Sequence, residues 1–258
     1  RSGIMDSAKL ELFLASDVGL VRHRNEDIAG AGAVFVRNET RNLEVAVGEA
    51  PYVIGVADGV GGGNMGDEAS KQVLGSLLQG LPDLEAGLDD EALGEAVRKT
   101  AKGAHDELMR QGMLNEKRAG MATTATLVLF YEGRRYLVHA GDSRLYAFEN
   151  GMLQQLSRDH TLREFSGNLN IPGNILVNCY GAENDFFIDF FRLGDRFDQG
   201  GIYLLCSDGL SDMLGDERME AILAQDQSLE NTGNQMVEEA RAAGGSDNIT
   251  VVLAKTHE

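Results

Sequence analysis

The order of apolar segments predicts an α+β architecture, with strand-rich sheets and helices segregated onto outer faces. Strand-like runs and helical periodicities come in blocks: strands, two helices, strands, two helices, strand. That is not the alternation expected of a parallel βαβ sheet. Two runs are apolar throughout and end on Asp-Gly: Tyr52-Val-Ile-Gly-Val-Ala-Asp-Gly59 and Ile202-Tyr-Leu-Leu-Cys-Ser-Asp-Gly209. Runs of this kind read as buried strands. No internal repeat, low-complexity tract or linker interrupts the chain, so residues 5–258 are expected to form one domain.

In chain order, Leu10 to Ser16 reads as a strand and Asp17 to Asp27 as a polar loop carrying both charge signs. Ile28 to Arg37 returns as a second strand, and the polar stretch Asn38 to Ala50 reads as a hairpin or surface excursion. Tyr52 to Ala57 is the first buried strand, followed by the turn Gly61-Gly62-Gly63. Ala69, Val73, Leu74, Leu77 and Leu78 share one helical face within Asp67 to Leu78. Asp89 to Met113 carries a second stripe, Leu93, Val97, Ala101, Ala104 and Leu108, which Gly94 and Gly103 weaken. Ala122 to Phe130, Arg135 to Ala140, Arg144 to Phe148 and Met152 to Leu156 read as strands, the last two joined by the hairpin signal Glu149-Asn150-Gly151. Residues 158–182 hold Gly, Asn and Pro with little periodicity and read as an irregular, flap-like segment. Phe186 to Leu193 and Ile202 to Cys206 are further strands, Leu210 to Ala224 and Leu229 to Ala243 helices, and Asn248 to Ala254 a closing strand.

Composition narrows the function. The chain has 258 residues, 43% of them hydrophobic, enough for a substantial core. A formal net charge of −18 argues against nucleic acid or an anionic membrane as partner. Two cysteines, Cys179 and Cys206, without a CxxC, fit a reducing cytoplasm better than a disulfide framework. No run reaches the roughly 18 apolar residues that span a bilayer, and no signal peptide is expected. Arg1 to Ile4, ahead of Met5, are set aside.

A strand that ends on Asp-Gly puts a carboxylate at the sheet edge and lets the backbone turn sharply or approach an ion. The arrangement recurs in weaker form at Tyr136-Leu-Val-His-Ala-Gly-Asp142. Brought together, such acids repel unless protons or cations neutralise them. For oxygen ligands alone the expected cation is Mg²⁺ or Mn²⁺. The candidates are Asp17, Arg22, Glu26, Asp27, Asp58, Gly59, Asp142, Asp208 and Asp247. Taken singly, each acid is more readily a turn residue. Taken together, turn acids do not usually follow apolar strands so repeatedly.

Seven motifs then occur in one order: Ser16-Asp-Val-Gly-Leu-Val-Arg22 with Asn25-Glu-Asp27, Val56-Ala-Asp58-Gly59-Val-Gly-Gly62, Gly120-Met-Ala-Thr-Thr124, Ala140-Gly-Asp142-Ser-Arg144, Leu156-Ser-Arg-Asp159-His160, Cys206-Ser-Asp208-Gly-Leu-Ser-Asp212 and Gly245-Ser-Asp247-Asn248-Ile-Thr250. In these the chain resembles the metal-dependent Ser/Thr protein phosphatases of the PPM, or PP2C, family in their compact bacterial form. The resemblance covers Leu10 to the C-terminus. It implies a four-layer α-β-β-α sandwich of two packed antiparallel sheets flanked by helices. It implies two Mn²⁺ or Mg²⁺ ions bridged by Asp58, with Asp208 and Asp247 on the first and the Gly59 carbonyl and, through water, Glu26 on the second. Asp142, helped by Asp208, matches a third, weaker position. Asp27 is expected to orient bound water and Arg22 to hold the substrate phosphate. The implied reaction is in-line attack on phosphoserine or phosphothreonine by a water or hydroxide bridging the two ions, without a covalent intermediate. The implied partners are phosphoproteins and a cognate bacterial Ser/Thr kinase with its substrates, in the cytoplasm, with the phosphatase a monomer.

Other chemistries lack support. Neither cysteine is followed by Arg at the sixth position, and the histidines form no HExxH or HxH pair. Two departures from the family pattern stand out. Val60 follows Asp58-Gly59 where some relatives carry a histidine proposed as general acid, so metal-bound water is the expected proton donor; His160 is a distant second and reads more readily as structural. Near the end of the flap relatives often read Leu-Thr-Arg-Ala-Leu-Gly, where this chain has Leu176-Val-Asn-Cys-Tyr-Gly181. Asn168, Asn170, Asn174 and Asn178 in this region read as turn and surface residues. The alternative functions are a non-catalytic phosphoprotein-binding scaffold, which would be expected to have lost a metal acid, and a hydrolase of small phosphoesters or of a sigma-factor switch.

Overall fold

The computed structural model describes residues 8–48, 50–60, 65–183, 185–194 and 200–257. Two antiparallel sheets face each other. One has the order β10 (Met152–Gln155), β9 (Arg144–Glu149), β12 (Ile202–Cys206), β13 (Ile249–His257), β1 (Ala8–Asp17), β4 (Glu39–Val47). The other has the order β11 (Asp189–Arg192), β8 (Arg134–Ala140), β7 (Ala125–Tyr131), β5 (Tyr52–Val60), β2 (Asp27–Ala31), β3 (Val34–Val36), with β6 (Ala122–Thr123) paired to the end of β5. Alternate residues of each central strand supply two different cores. Leu12, Leu14, Ile54, Val56, Val128, Leu205 and Val252 fill the space between the sheets. Val53, Ala57, Leu127, Leu129 and Val138 pack outward under α1 (Gly66–Gly80) and α2 (Asp90–Leu114). Phe13, Leu204, Cys206, Val251 and Leu253 do the same under α4 (Asp208–Leu223) and α5 (Leu229–Ala242). Burial on both faces is why these strands read as continuous apolar runs. The result is the expected four-layer α+β sandwich.

The helices follow their stripes. Asp89 caps α2 by accepting from Ala92 N at 2.9 Å. The helix runs through Gly94, where an added Cβ would lie 3.1 Å from the Phe190 ring. Asn150 and Gly151 take φ of 51° and 77°, the left-handed pair that a two-residue hairpin needs.

Several elements differ from expectation. Ile28 to Arg37 is not one strand but the hairpin β2–β3, turned at Gly32 with φ 55°. Asn38 to Ala50 is not an excursion: β4 pairs with β1 along its whole length, from Ala8↔Val47 to Ser16↔Glu39. It is an edge strand whose Leu43, Val45 and Val47 alone pack against the inter-sheet core, so its polar face hid it. Ala122 to Phe130 breaks at Thr124 into β6 and β7. Phe186 to Leu193 shortens to β11. Residues 158–182 contain one short helix, α3 (Leu162–Ser166), and the helix α4 begins earlier than its apolar stripe, at Asp208. Gly61-Gly62-Gly63 lies outside the described residues.

Candidate metal centre

The acids meet because termini of five strands, β2, β5, β8, β12 and β13, gather at one rim of the sandwich. β2 and β5 pair so that Asp27 stands opposite Asp58. The Asp58 backbone is clamped from the other side: its N–H donates to Thr124 Oγ1 at 3.1 Å, and its carbonyl accepts from Thr123 Oγ1 and Thr124 N at 2.9 Å each. Across the sheets, β12 delivers Ser207, whose hydroxyl donates to Asp27 Oδ2 at 2.6 Å, and then Asp208 in the first turn of α4. Gly209 follows. A Cβ there would lie 1.9 Å from the Asn248 carbonyl oxygen, so only glycine lets α4 press onto the loop that carries Asp247. Gly59 is equally tight, with its missing Cβ 2.2 Å from the Gly66 carbonyl. Gly66 in turn backs onto the Glu26 carboxylate, which brings Glu26 and Gly59 together at the start of α1.

The electrostatics of this rim are those of an unneutralised cluster. Burial holds Asp58 well above the ordinary carboxylate range, and Asp27, Asp208, Asp142 and Asp247 repel its charge further. Asp208 is pushed up to about 8 by burial, then by Asp142, Asp27 and Asp247. Asp142, on the turn between β8 and β9, is pushed up to about 7 by burial and then by Asp159. Burial pushes Asp27 up to about 6 despite the Ser207 hydrogen bond. Asp27 Oδ1 and Asp208 Oδ1 are buried with no hydrogen-bond partner among the described residues. Buried acceptors are rarely left so. Hard oxygens, crowded negative charge and orphaned lone pairs suit divalent cations such as Mn²⁺ or Mg²⁺.

Arg22 sits at the mouth, its Nη2 donating to Asp247 Oδ2 at 2.7 Å. Asp247 is the main reason its guanidinium is held above its usual pKa, and Glu26 and Asp58 add to it. The loop is built onto the connection between α5 and β13. Leu20 N and Val21 N both donate to the Gly245 carbonyl, and Asn248 Nδ2 donates to the carbonyls of Val18 and Arg24 at 2.9 Å each. Asn248 Oδ1 accepts from Glu26 N at 2.8 Å. One amide thus fixes both ends of the Arg22 loop.

The structure brings together Asp27, Asp58, Asp142, Asp208 and Asp247, with Glu26, Gly59 and Arg22 at their edge. Asp17 is elsewhere: it pairs with Arg241 and accepts from Gly19 N, a structural role. Sequence reasoning missed Asp212, which lines the same cleft of about 380 Å³ as Asp142, Arg144, Asp159 and Asp208. Burial raises its pKa as well. The signal was present, since Asp208 and Asp212 are four apart on a helix and share a face.

A second group, His139, His160 and Asp189, places ligand atoms within 4.8 Å of one another. Their capacity is already used. His160 Nδ1 faces two N–H donors, Gly141 N at 3.1 Å and Asn178 Nδ2 at 2.8 Å. Nε2 therefore carries the proton and donates to Asp189 Oδ2 at 2.9 Å. His139 is held by Thr126 Oγ1 and the Arg158 carbonyl at 2.8 Å each, and burial lowers its pKa to about 4. His160 is buried and occupied at both nitrogens, which removes it as a proton donor to substrate.

Comparison with known proteins identifies the family. Residues 42–253 match the protein phosphatase 2C family model. The serine/threonine phosphatase stp of Listeria monocytogenes is 32% identical over 250 residues, covering 93% of each chain. The crystal structure of the Mycobacterium tuberculosis serine/threonine phosphatase PstP superposes with a TM-score of 0.75 at 31% identity, covering 96% of this chain and 98% of the other. A structure of the PstP catalytic domain in complex with two manganese ions gives the same TM-score at 30% identity, over 96% of this chain and all of the other. The chain belongs to the protein phosphatase 2C family, in its bacterial Ser/Thr phosphatase branch. It is a serine/threonine protein phosphatase.

Proposed function

We propose that residues 5–258 act as one catalytic domain that hydrolyses phosphoserine and phosphothreonine in proteins with two bound Mn²⁺ or Mg²⁺ ions. The observation that carries this reading is the set of buried aspartates with raised pKa values and two orphaned oxygens, Asp27 Oδ1 and Asp208 Oδ1. Asp58, Asp208 and Asp247 would hold one ion. Asp58 with the Gly59 carbonyl and, through water, Glu26 would hold the other. Asp142 and Asp208 would offer a weaker third position. When bound, the ions supply positive charge against the phosphoryl oxygens and lower the pKa of water.

The chain's own residues do the rest. Among the described residues Arg22 uses one Nη2 N–H on Asp247, which leaves one two-donor edge of the guanidinium to grip two phosphate oxygens at the mouth. Asp27, fixed by Ser207 through Oδ2, keeps Oδ1 free to accept from and orient water. With Val60 after Gly59 and His160 occupied, the leaving oxygen takes its proton from water in the cleft. Every acid expected at a metal position is present, which removes the motive for a scaffold without activity.

The chain's counterpart would be a Ser/Thr protein kinase whose products it reverses. Buried, unpaired Cys179 and Cys206 fit a cytoplasmic setting. Among the described residues, no helix is long and apolar enough to cross a membrane. The test is hydrolysis of a phosphothreonine peptide with Mn²⁺, with EDTA, and by Asp208→Ala with Mn²⁺. Activity is expected only in the first. Activity surviving in the other two would overturn the assignment of the site.

A further inference from the structure

The flap ends in a buried asparagine. Asn178 Nδ2 donates to His160 Nδ1 and to the Phe187 carbonyl at 2.8 Å each, and Asn178 Oδ1 accepts from Phe187 N at 3.3 Å. His160 is tied to the turn that carries Asp142 by a reciprocal pair: its N–H donates to the Gly141 carbonyl at 2.8 Å, and Gly141 N donates to its ring. That turn has no slack. Gly141 has φ 117°, and a Cβ there would lie 2.5 Å from Thr124, the residue that also binds the Asp58 backbone. Asp189 completes the clasp from β11.

We propose that Asn178 is a positioning residue which, through the His160 ring, fixes the Gly141-Asp142 turn to the root of the flap and so sets the affinity of the weakest metal position. The proposal rests on reading Asp142 as a metal residue. An amide suits the place because it donates and accepts at once. An arginine here would have no acceptor for Phe187 N–H. His160 and Asp189 act within the clasp as hydrogen-bonding groups, not as ligands.

The test is calorimetric titration of the full chain with Mn²⁺, for the wild type, Asn178→Ala, Asn178→Asp, Asp142→Asn and Asp189→Asn. Asn178→Asp keeps the volume and the acceptor for Phe187 but loses both donors, which guards against a variant that fails to fold. Removing an outer hydrogen-bonding partner of a ligand typically weakens metal binding ~10–100-fold. Both Asn178 variants should weaken the weakest Mn²⁺ event by about 10-fold and leave the tighter events unchanged. In an Asp142→Asn background, Asn178→Ala should add nothing. Asp189→Asn still offers an oxygen to His160 Nε2 and should match the wild type.

Unchanged Mn²⁺ affinities in folded Asn178 variants would overturn the proposal while leaving the metal centre intact. Loss of a binding event in Asp189→Asn would overturn it too, since the imidazole pair would then itself hold an ion. A wild type with only two binding events would remove the Asp142 position and the proposal with it. A wild type that binds no Mn²⁺ at all would sink the metal reading as a whole.

Discussion

Two buried polar groups lie within a few residues of each other in this protein, and they are built in opposite ways. The aspartate rim holds like charges together, pushes their pKa values up and leaves Asp27 Oδ1 and Asp208 Oδ1 without partners among the described residues. In the His139–His160–Asp189 group every ring nitrogen has a partner, and the acid is paired with an imidazole. Both contain the residue types that bind metals, so residue type does not separate them. Hydrogen-bond capacity does. A site kept for a ligand carries unmet demand, which costs stability, whereas a structural network has none.

The contrast gives opposite signs for paired substitutions, and the largest effect is expected at Asp58. Asp58→Asn should lower phosphopeptide turnover by roughly 10³-fold or more, since losing a ligand exceeds the ~10–100-fold cost of losing a ligand's outer partner. It should nevertheless raise the melting temperature of the EDTA-treated protein, because a neutral amide escapes the cost of burying a carboxyl among like charges. His160→Ala should lower that melting temperature, since orphaning buried groups costs about 1–3 kcal/mol each. A fall in both variants would end the distinction.

The pH dependence of metal-free stability comes next. The folded-state pKa values of Asp27, Asp142 and Asp208 lie at about 6, 7 and 8, above the unfolded carboxylate value. The folded state thus binds more protons than the unfolded state across that window, and stability falls as pH rises. Thermal melts in EDTA should decline from pH 5 to pH 8, and added Mn²⁺ should restore most at pH 8. A flat profile would mean that the rim carries no such strain.

A smaller effect is expected at the mouth. Arg22→Lys keeps the charge but loses the two-pronged grip, so KM for a phosphothreonine peptide should rise about 10-fold, the equivalent of ~1.4 kcal/mol, with kcat changed less. A loss confined to kcat would place Arg22 in the chemical step instead. The smallest change belongs to Asp212→Asn, at the outer wall of the cleft, where steady-state kinetics should move no more than about 3-fold if Asp212 shapes the field without holding an ion. Loss of Mn²⁺ dependence there would move the rim outward to include it.

Much of this was legible in the chain. Asp58 and Asp208 were visible because buried strands that terminate on Asp-Gly leave a mark in local sequence, and Asp247 because its motif falls in order with the others. β4 was not visible, because an edge strand with one wet face lacks the apolar run that marks a central strand. Neither were the roles of Asn178 and Asn248. Asn178, which reads as a surface residue, is buried, and both amides act on backbone groups that are neighbours only after folding. Sequence shows which side chain could form hydrogen bonds, and tertiary structure decides to what. His160 reads in sequence as a structural residue before a proton donor, and its filled hydrogen bonds agree with that reading.

The pairing of β13 with β1 has a consequence for the timing of biosynthesis. Ser16 lies opposite Thr250, and Asn248 fastens the Arg22 loop, so the first strand and the last must meet before the rim exists. A ribosome that has translated through α5 has already added Asp58, Asp142 and Asp208 to the chain but not β13. Synthesis runs from the N-terminus, so β1 waits with one side unpaired while most of the chain emerges. Phosphatase activity is therefore expected only after β13 has joined β1.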